Sequence, residues 1–198
     1  MEAILPNTQI SKPTIDEVEK AFKTILKYVG EDPEREGLKE TPKRVARSLK
    51  EWFSGYDIDP KSVLSTTFEE VENYNEIVVL RNIRLESHCE HHMCPIIGTA
   101  TVAYLPRNKV VGISKLARVV DAFAKRYQIQ EVMTKQIADT IQEVLNPKGV
   151  AVIIKAQHFC IGTRGIHKHE SDMITSCMLG VFMEDSTARL ELMHLIKD

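Results

Sequence analysis

Ser87-His88-Cys89-Glu90-His91-His92-Met93-Cys94-Pro95 holds three of the chain's seven histidines and two of its four cysteines. Thiolate and imidazole are the side chains zinc favours most. Cys89 and His92 stand in C-x-x-H spacing, close enough to hold one ion from a single turn. Two ligands do not complete a zinc site. The best third is Cys160, in His158-Phe159-Cys160, at the end of an apolar run that begins at Val150. If that run continues as a strand, alternation puts His158 and Cys160 on one face. Cys89, His92 and Cys160 would make a three-ligand site with an open fourth position, the catalytic arrangement, in which zinc lowers the pKa of a bound water towards neutrality. Spacing leaves open which of His88, His91, His92 and His158 are ligands. The alternatives are a closed Cys89/Cys94/Cys160/His structural site and a plain polar loop with surface histidines.

Three further groups carry chemistry of their own. In Ser114-Lys115-Leu116-Ala117-Arg118 two cations stand one turn apart at the start of a helix, where the dipole and free N–H groups favour an anion such as phosphate. An isolated K-x-x-R is otherwise a solvated basic face. Arg164-Gly165 adds a cation just past Cys160, beside a glycine that permits close backbone approach. Gln128-Ile129-Gln130-Glu131 offers an amide and a carboxylate to the paired N–H groups of a guanine edge, although an acid in a first helical turn is common for dipole reasons.

The elements that must position these groups follow from hydrophobic period. Thr14-Ile15-Asp16-Glu17 has capping-box spacing, and apolar residues from Ile15 to Val29 recur at helical intervals up to Gly30. Thr41-Pro42 reads as an N-cap and first-turn proline opening a second helix through Val45, Leu49, Trp52 and Phe53, ended by Gly55. Residues 56–75 read as a polar connector. Ile77–Leu80 with Ile83 and Leu85 predict a strand running into the Cys/His cluster, and Thr99–Leu105 alternates as a half-buried strand. Ser114 is expected to cap a helix through Phe123, and a second helix runs from Met133 to Val144. Val150–Ile154 predicts a buried strand, Ser176–Met183 a last strand and Thr187–Lys197 a terminal helix. Helices between two strand pairs predict an α+β domain with an antiparallel sheet, whose exposed edges would pair with a neighbouring subunit.

Composition bounds the partners. With 198 residues, 43% hydrophobic, 27% charged and a net charge of -2, the chain fits one soluble domain, or one domain with a small helical appendage, and not a broad binder of nucleic acid or anionic membrane. Met1–Asn7 has no basic flank or long apolar run, no segment nears the roughly 20 apolar residues of a bilayer span, and four irregularly spaced cysteines do not make a disulfide scaffold. A cytoplasmic location is expected.

Taken together, Cys89-Glu90-His91-His92, Gly112-Ile113-Ser114-Lys115-Leu116-Ala117-Arg118-Val119-Val120-Asp121, Gln128-Ile129-Gln130-Glu131, His158-Phe159-Cys160 and Arg164-Gly165 resemble the GTP cyclohydrolase I family, in the family's order. Glu36-Gly37-Leu38 and Glu40-Thr41-Pro42-Lys43-Arg44-Val45-Ala46 resemble its N-terminal helical segment. The resemblance implies the tunnelling fold, four antiparallel strands with two helices, over 76–198, preceded by a helical hairpin and connector over 1–75, and assembly as a homodecamer. It implies zinc on Cys89, His92 and Cys160, with His91 and His158 beside the purine imidazole ring. His158 would donate a proton at N7 or position the attacking water. Ser114 would contact the ribose, Gln130 and Glu131 the guanine edge, and Lys115, Arg118 and Arg164 the triphosphate, with Arg44 from a neighbouring subunit. GTP would become 7,8-dihydroneopterin triphosphate, with release of formate. Cys94, Tyr127 and Cys177 depart from the family's usual residues without removing a functional group. Three other readings are a nucleobase deaminase, which lacks its P-C-x-x-C partner here, a non-catalytic zinc module, and a tunnelling-fold protein acting on another pterin or purine.

Overall fold

A computed structural model describes residues 11–68 and 74–197. Met1–Asn7 and residues 69–73 of the expected connector lie outside the described residues. The chain divides into two compact units, Met1–Glu51 and Trp52–Asp198.

The first unit carries α1 (Ile15–Tyr28) and the start of α2 (Thr41–Trp52). Thr14 caps α1 through the full capping box: the Glu17 N–H donates to Thr14 Oγ1 at 3.3 Å, and the Thr14 N–H donates to Glu17 Oε2 at 2.8 Å. Helix α2 begins at Thr41 itself, so Thr41 is the first helical residue and Pro42 the second. Of the apolar residues of α1, Val18, Phe22 and Leu26 are half-buried and Ile15 and Ile25 exposed.

The second unit starts with a 3-10 turn (Ser54–Asp57), then α3 (Pro60–Val63) and β1 (Thr67–Phe68). The connector is therefore partly structured. Asp59 caps α3 by accepting the Lys61 N–H at 3.1 Å, a capping position whose neighbours show no apolar period. Then come β2 (Val78–Cys89), β3 (Pro95–Leu105), β4 (Val110–Val111), α4 (Ile113–Ala124), β5 (Tyr127–Gln128) and α5 (Gln130–Leu145). The chain closes with β6 (Gly149–His158), α6 (Phe159–Gly162), β7 (Asp172–Gly180), α7 (Val181–Glu184) and α8 (Ser186–Ile196).

The fold is mixed α+β. Its main sheet has the order β5-β2-β3-β6-β7: four long antiparallel strands plus β5, which adds parallel to the end of β2 through His88 and Cys89. A second sheet pairs β1 with β4. Leu116, Val120 and Phe123 of α4 and Met133, Ile137 and Ile141 of α5 share one core with Leu85, Ile96, Val102, Val152 and Ile154 of the strands. Phe182 and Leu192, from α7 and α8, form a smaller core with Ala103 and Ala151. Each buried Leu, Ile, Val or Phe contributes about 1.5–3 kcal/mol of transfer free energy, so these two cores hold the sheet between its helices.

Among the boundaries that differ from expectation, three bear on the site or on the end of the sheet. Gly112, not Ser114, occupies the N-cap of α4, and Ser114 lies inside the first turn, where the Lys115 N–H donates to the Gly112 carbonyl at 2.8 Å. The last strand is Asp172–Gly180, earlier than Ser176–Met183. At Gly180 the backbone turns to φ +57, against the Lys148 carbonyl, and Val181–Glu184 coil into α7. The strand from Val150 stops at His158, and Cys160 sits on the helical turn α6, closed by the Thr163 N–H donating to the Phe159 carbonyl at 2.9 Å. His158 and Cys160 are therefore not alternate residues of one strand.

Gly98 faces Ala156 across the β3–β6 ladder, and a Cβ there would strike the Lys155 carbonyl oxygen and lie 2.5 Å from Ala156 Cα. Both obstacles are backbone, so the two strands would have to part. Gly98→Ala is expected to cost about 3 kcal/mol or more, read as a lowered urea midpoint. An unchanged midpoint would show that the ladder yields freely.

Candidate metal centre and substrate site

Strand β2 delivers Cys89 to the end of the sheet and turns back into β3. The Met93 N–H donates to the Cys89 carbonyl at 2.9 Å, and the Cys89 N–H donates to the Cys94 carbonyl at 2.8 Å. Met93 takes a left-handed φ of 57°, which closes the hairpin at a conformational cost for a residue with a side chain. From the parallel strand β5 the Gln128 carbonyl accepts the Glu90 N–H at 3.2 Å. The turn is thus tied on both sides, and His91 and His92 project from it, both exposed.

One ligand atom each from Cys89, His92 and Cys160 lies within 4.8 Å of the others. Cys89 Sγ stands 3.9 Å from His92 Nδ1. Tetrahedral zinc with ordinary Zn–S and Zn–N bonds separates a sulfur and a nitrogen ligand by about 3.5 Å, so small adjustments close this set round an ion. Burial first, and then the neighbouring Cys89 thiol, push the Cys160 thiol up. The donor set and its spacing fit a zinc ion with three protein ligands.

The other candidates separate by place. His91 Nδ1 is 4.0 Å from Cys89 Sγ, beside the group but not part of it. His88 turns to Phe53, with ring centroids 5.0 Å apart, and burial lowers its pKa. Cys94 packs partly buried against the main core and is not in the three-residue group. His158 ends β6. Burial lowers its pKa, while the Glu131 carboxylate is near enough to pull it partly back. Glu131 is exposed on the first turn of α5.

Gln130 behaves differently from its expected place at a guanine edge. It is fully buried, and its amide is engaged inside the protein with Ile154, Met173, Thr175 and His158. Ser114, Lys115 and Arg118 occupy the first two turns of α4, with Ser114 and Arg118 exposed. Arg164 is exposed on the segment after α6. Among the described residues, Lys115, Arg118, Arg164 and Glu131 form no ion pair, so their charges are available to a ligand. Sequence reasoning missed Thr134 and Thr175, which complete the Gln130 network. A threonine inside a helix and another on a strand carry no spacing signal.

An α+β sheet whose edge hairpin and a following helical turn assemble two cysteines and a histidine defines a candidate metal-dependent enzyme. Residues 18–197 match the family model for GTP cyclohydrolase I, and the chain belongs to that family. It is 52% identical to GTP cyclohydrolase 1 of Brucella anthropi, over 99% of this chain and 95% of that protein. Against GTP cyclohydrolase 1 of Maricaulis maris it is 51% identical, over 94% and 91% of the two chains, and against that of Brucella suis 54%, over 94% and 87%. Likeness of this extent makes the chain an enzyme of this kind. No helix of the described residues is long and apolar enough to cross a membrane.

Proposed function

We propose that the chain converts GTP to 7,8-dihydroneopterin triphosphate with release of formate, at a zinc ion held by Cys89, His92 and Cys160. The observation that carries this reading is the clustering of Cys89, His92 and Cys160 in a member of the GTP cyclohydrolase I family. Bound there, zinc would supply Lewis-acid activation of water for attack at C8 of the purine. His91, next to the ligands, and His158, beside Glu131, would handle the protons of ring opening and of the second hydrolysis that frees formate. Glu131 would accept from the paired N–H groups of guanine, Ser114 would meet the ribose during rearrangement and reclosure, and Lys115, Arg118 and Arg164 would hold the triphosphate. In this reading the sheet with α4 and α5 is a tunnelling fold, and the chain is a cytoplasmic homo-oligomer, a decamer by family resemblance, with Arg44 reaching a neighbour's triphosphate. The exposed apolar residues of α1 and the strand edges at β2 and β7 are surfaces that assembly would cover.

The direct test is formate and fluorescent pterin formation from GTP, with and without a chelator. Ammonia in place of formate would turn the reading towards a deaminase, and chelator-insensitive turnover would remove the metal from it. Because the three cations are partly or fully exposed, added salt should screen them. KM for GTP is expected to rise severalfold between low and high ionic strength while kcat changes little; a KM indifferent to salt would take Lys115, Arg118 and Arg164 away from the triphosphate.

A further inference from the structure

We propose that Gln130 is a positioning residue that, backed by Thr175 and Thr134, fixes the direction of the His158 ring by accepting a hydrogen bond from its Nε2–H. The role of His158 in turnover rests on the function proposed above; the proton on Nε2 rests on the hydrogen bonds alone.

A carboxamide has one donor end and one acceptor end, and here its surroundings decide which is which. Gln130 Nε2 lies 3.1 Å from the Ile154 carbonyl oxygen, 3.0 Å from that of Met173 and 3.1 Å from Thr175 Oγ1. Carbonyl oxygens only accept, so the nitrogen must face them, and Oε1 must face His158 Nε2 at 2.7 Å. An amide oxygen has no proton to give. His158 Nε2 must therefore carry one, in the neutral ring as well as in the cation.

The threonines support the same orientation. Thr134 Oγ1 is 2.7 Å from the Gln130 carbonyl oxygen one turn back in α5, and 2.7 Å from Thr175 Oγ1. The single Thr134 proton goes to that carbonyl, so Thr175 donates to Thr134 and turns a lone pair to Gln130 Nε2. The two amide protons are shared among three acceptors, the Ile154 and Met173 carbonyl oxygens and Thr175 Oγ1, and all three stand at the donor end of the amide. Turning the amide over would set its oxygen against two carbonyl oxygens in a fully buried place and leave both without a donor. The bond also joins the first residue of α5 to the last residue of β6, two residues before Cys160, so the ring's direction is set by two elements at once. Gln130 acts through His158 and does not itself meet substrate. The arrangement resembles the second partner that orients a ligating or catalytic imidazole in other sites.

The test combines spectroscopy with kinetics. Histidine-labelled, zinc-loaded protein is examined by solid-state 15N spectroscopy at a pH alkaline enough for a neutral ring, with the His158 signals assigned by their loss in His158→Asn. Expected is a protonated Nε2 and an unprotonated Nδ1; the reverse pattern overturns the proposal whatever the activity. Gln130→Leu is expected to lower kcat about tenfold to a hundredfold with zinc retained and KM for GTP within about twofold, the size seen when an orienting partner is lost. A raised KM with kcat kept would return Gln130 to the guanine edge. Thr175→Val, milder and less exposed to misfolding, should lower kcat a few-fold in the same direction, and unchanged kcat would remove the threonine support. If the unaltered protein makes no formate from GTP, the proposed function fails while the 15N pattern still decides the tautomer.

Discussion

Cys160→Ala is expected to leave the purified chain without stoichiometric zinc and to abolish formate release from GTP. Among the described residues the other two members of that group are Cys89 and His92, and each sits on a different part of the hairpin turn. Removing one of three protein ligands, and the one supplied from another element, takes away both charge and geometry from the ion. Protein-bound zinc is held by about 10–16 kcal/mol in compact sites, so losing a third of the donors lowers affinity by several orders of magnitude. The fold should remain, since a small buried side chain is exchanged for a smaller one at a cost of about 1 kcal/mol. Metal content by mass spectrometry, formate assay and circular dichroism read the three quantities separately. Cys94→Ala is the companion: it should keep its zinc, because Cys94 packs against the core outside the ligand group. Zinc retained in Cys160→Ala, or lost in Cys94→Ala, would redraw the ligand set.

Glu131→Ala is expected to lower kcat/KM for GTP by about 10²- to 10⁴-fold while zinc stays bound. A carboxylate accepting two N–H groups makes two charge-assisted hydrogen bonds of about 1.5–3 kcal/mol each, and alanine replaces neither. Stability should change little, because Glu131 is exposed and gives α5 only the fraction of a kcal/mol that a first-turn acid contributes. Gln130 is enclosed in the protein, so its amide is not expected to make up for the lost carboxylate. Near-normal turnover of GTP in this variant would remove the guanine-edge assignment.

Residue types and their spacing on the chain determined a good deal here. The capping box at Thr14–Glu17, the apolar periods of α4 and α5, the alternation of β3 and the clustering of Cys89, His91, His92 and Cys94 are local signals, because each depends on neighbours within one or two turns. So the α+β class, the principal helices and strands and the family resemblance were legible without coordinates. The tertiary structure decided what depends on residues distant in sequence. It brought Cys160 to the hairpin on the turn α6 rather than on a strand, and it turned His88 to Phe53 and Cys94 into the core, so that His92 joins the two cysteines. It also buried Gln130, whose proton assignments are set by two carbonyl oxygens from β6 and β7, more than twenty residues further along the chain. Ligand geometry and hydrogen-bond direction belong to the packed chain, since both are fixed by the atoms that arrive from elsewhere.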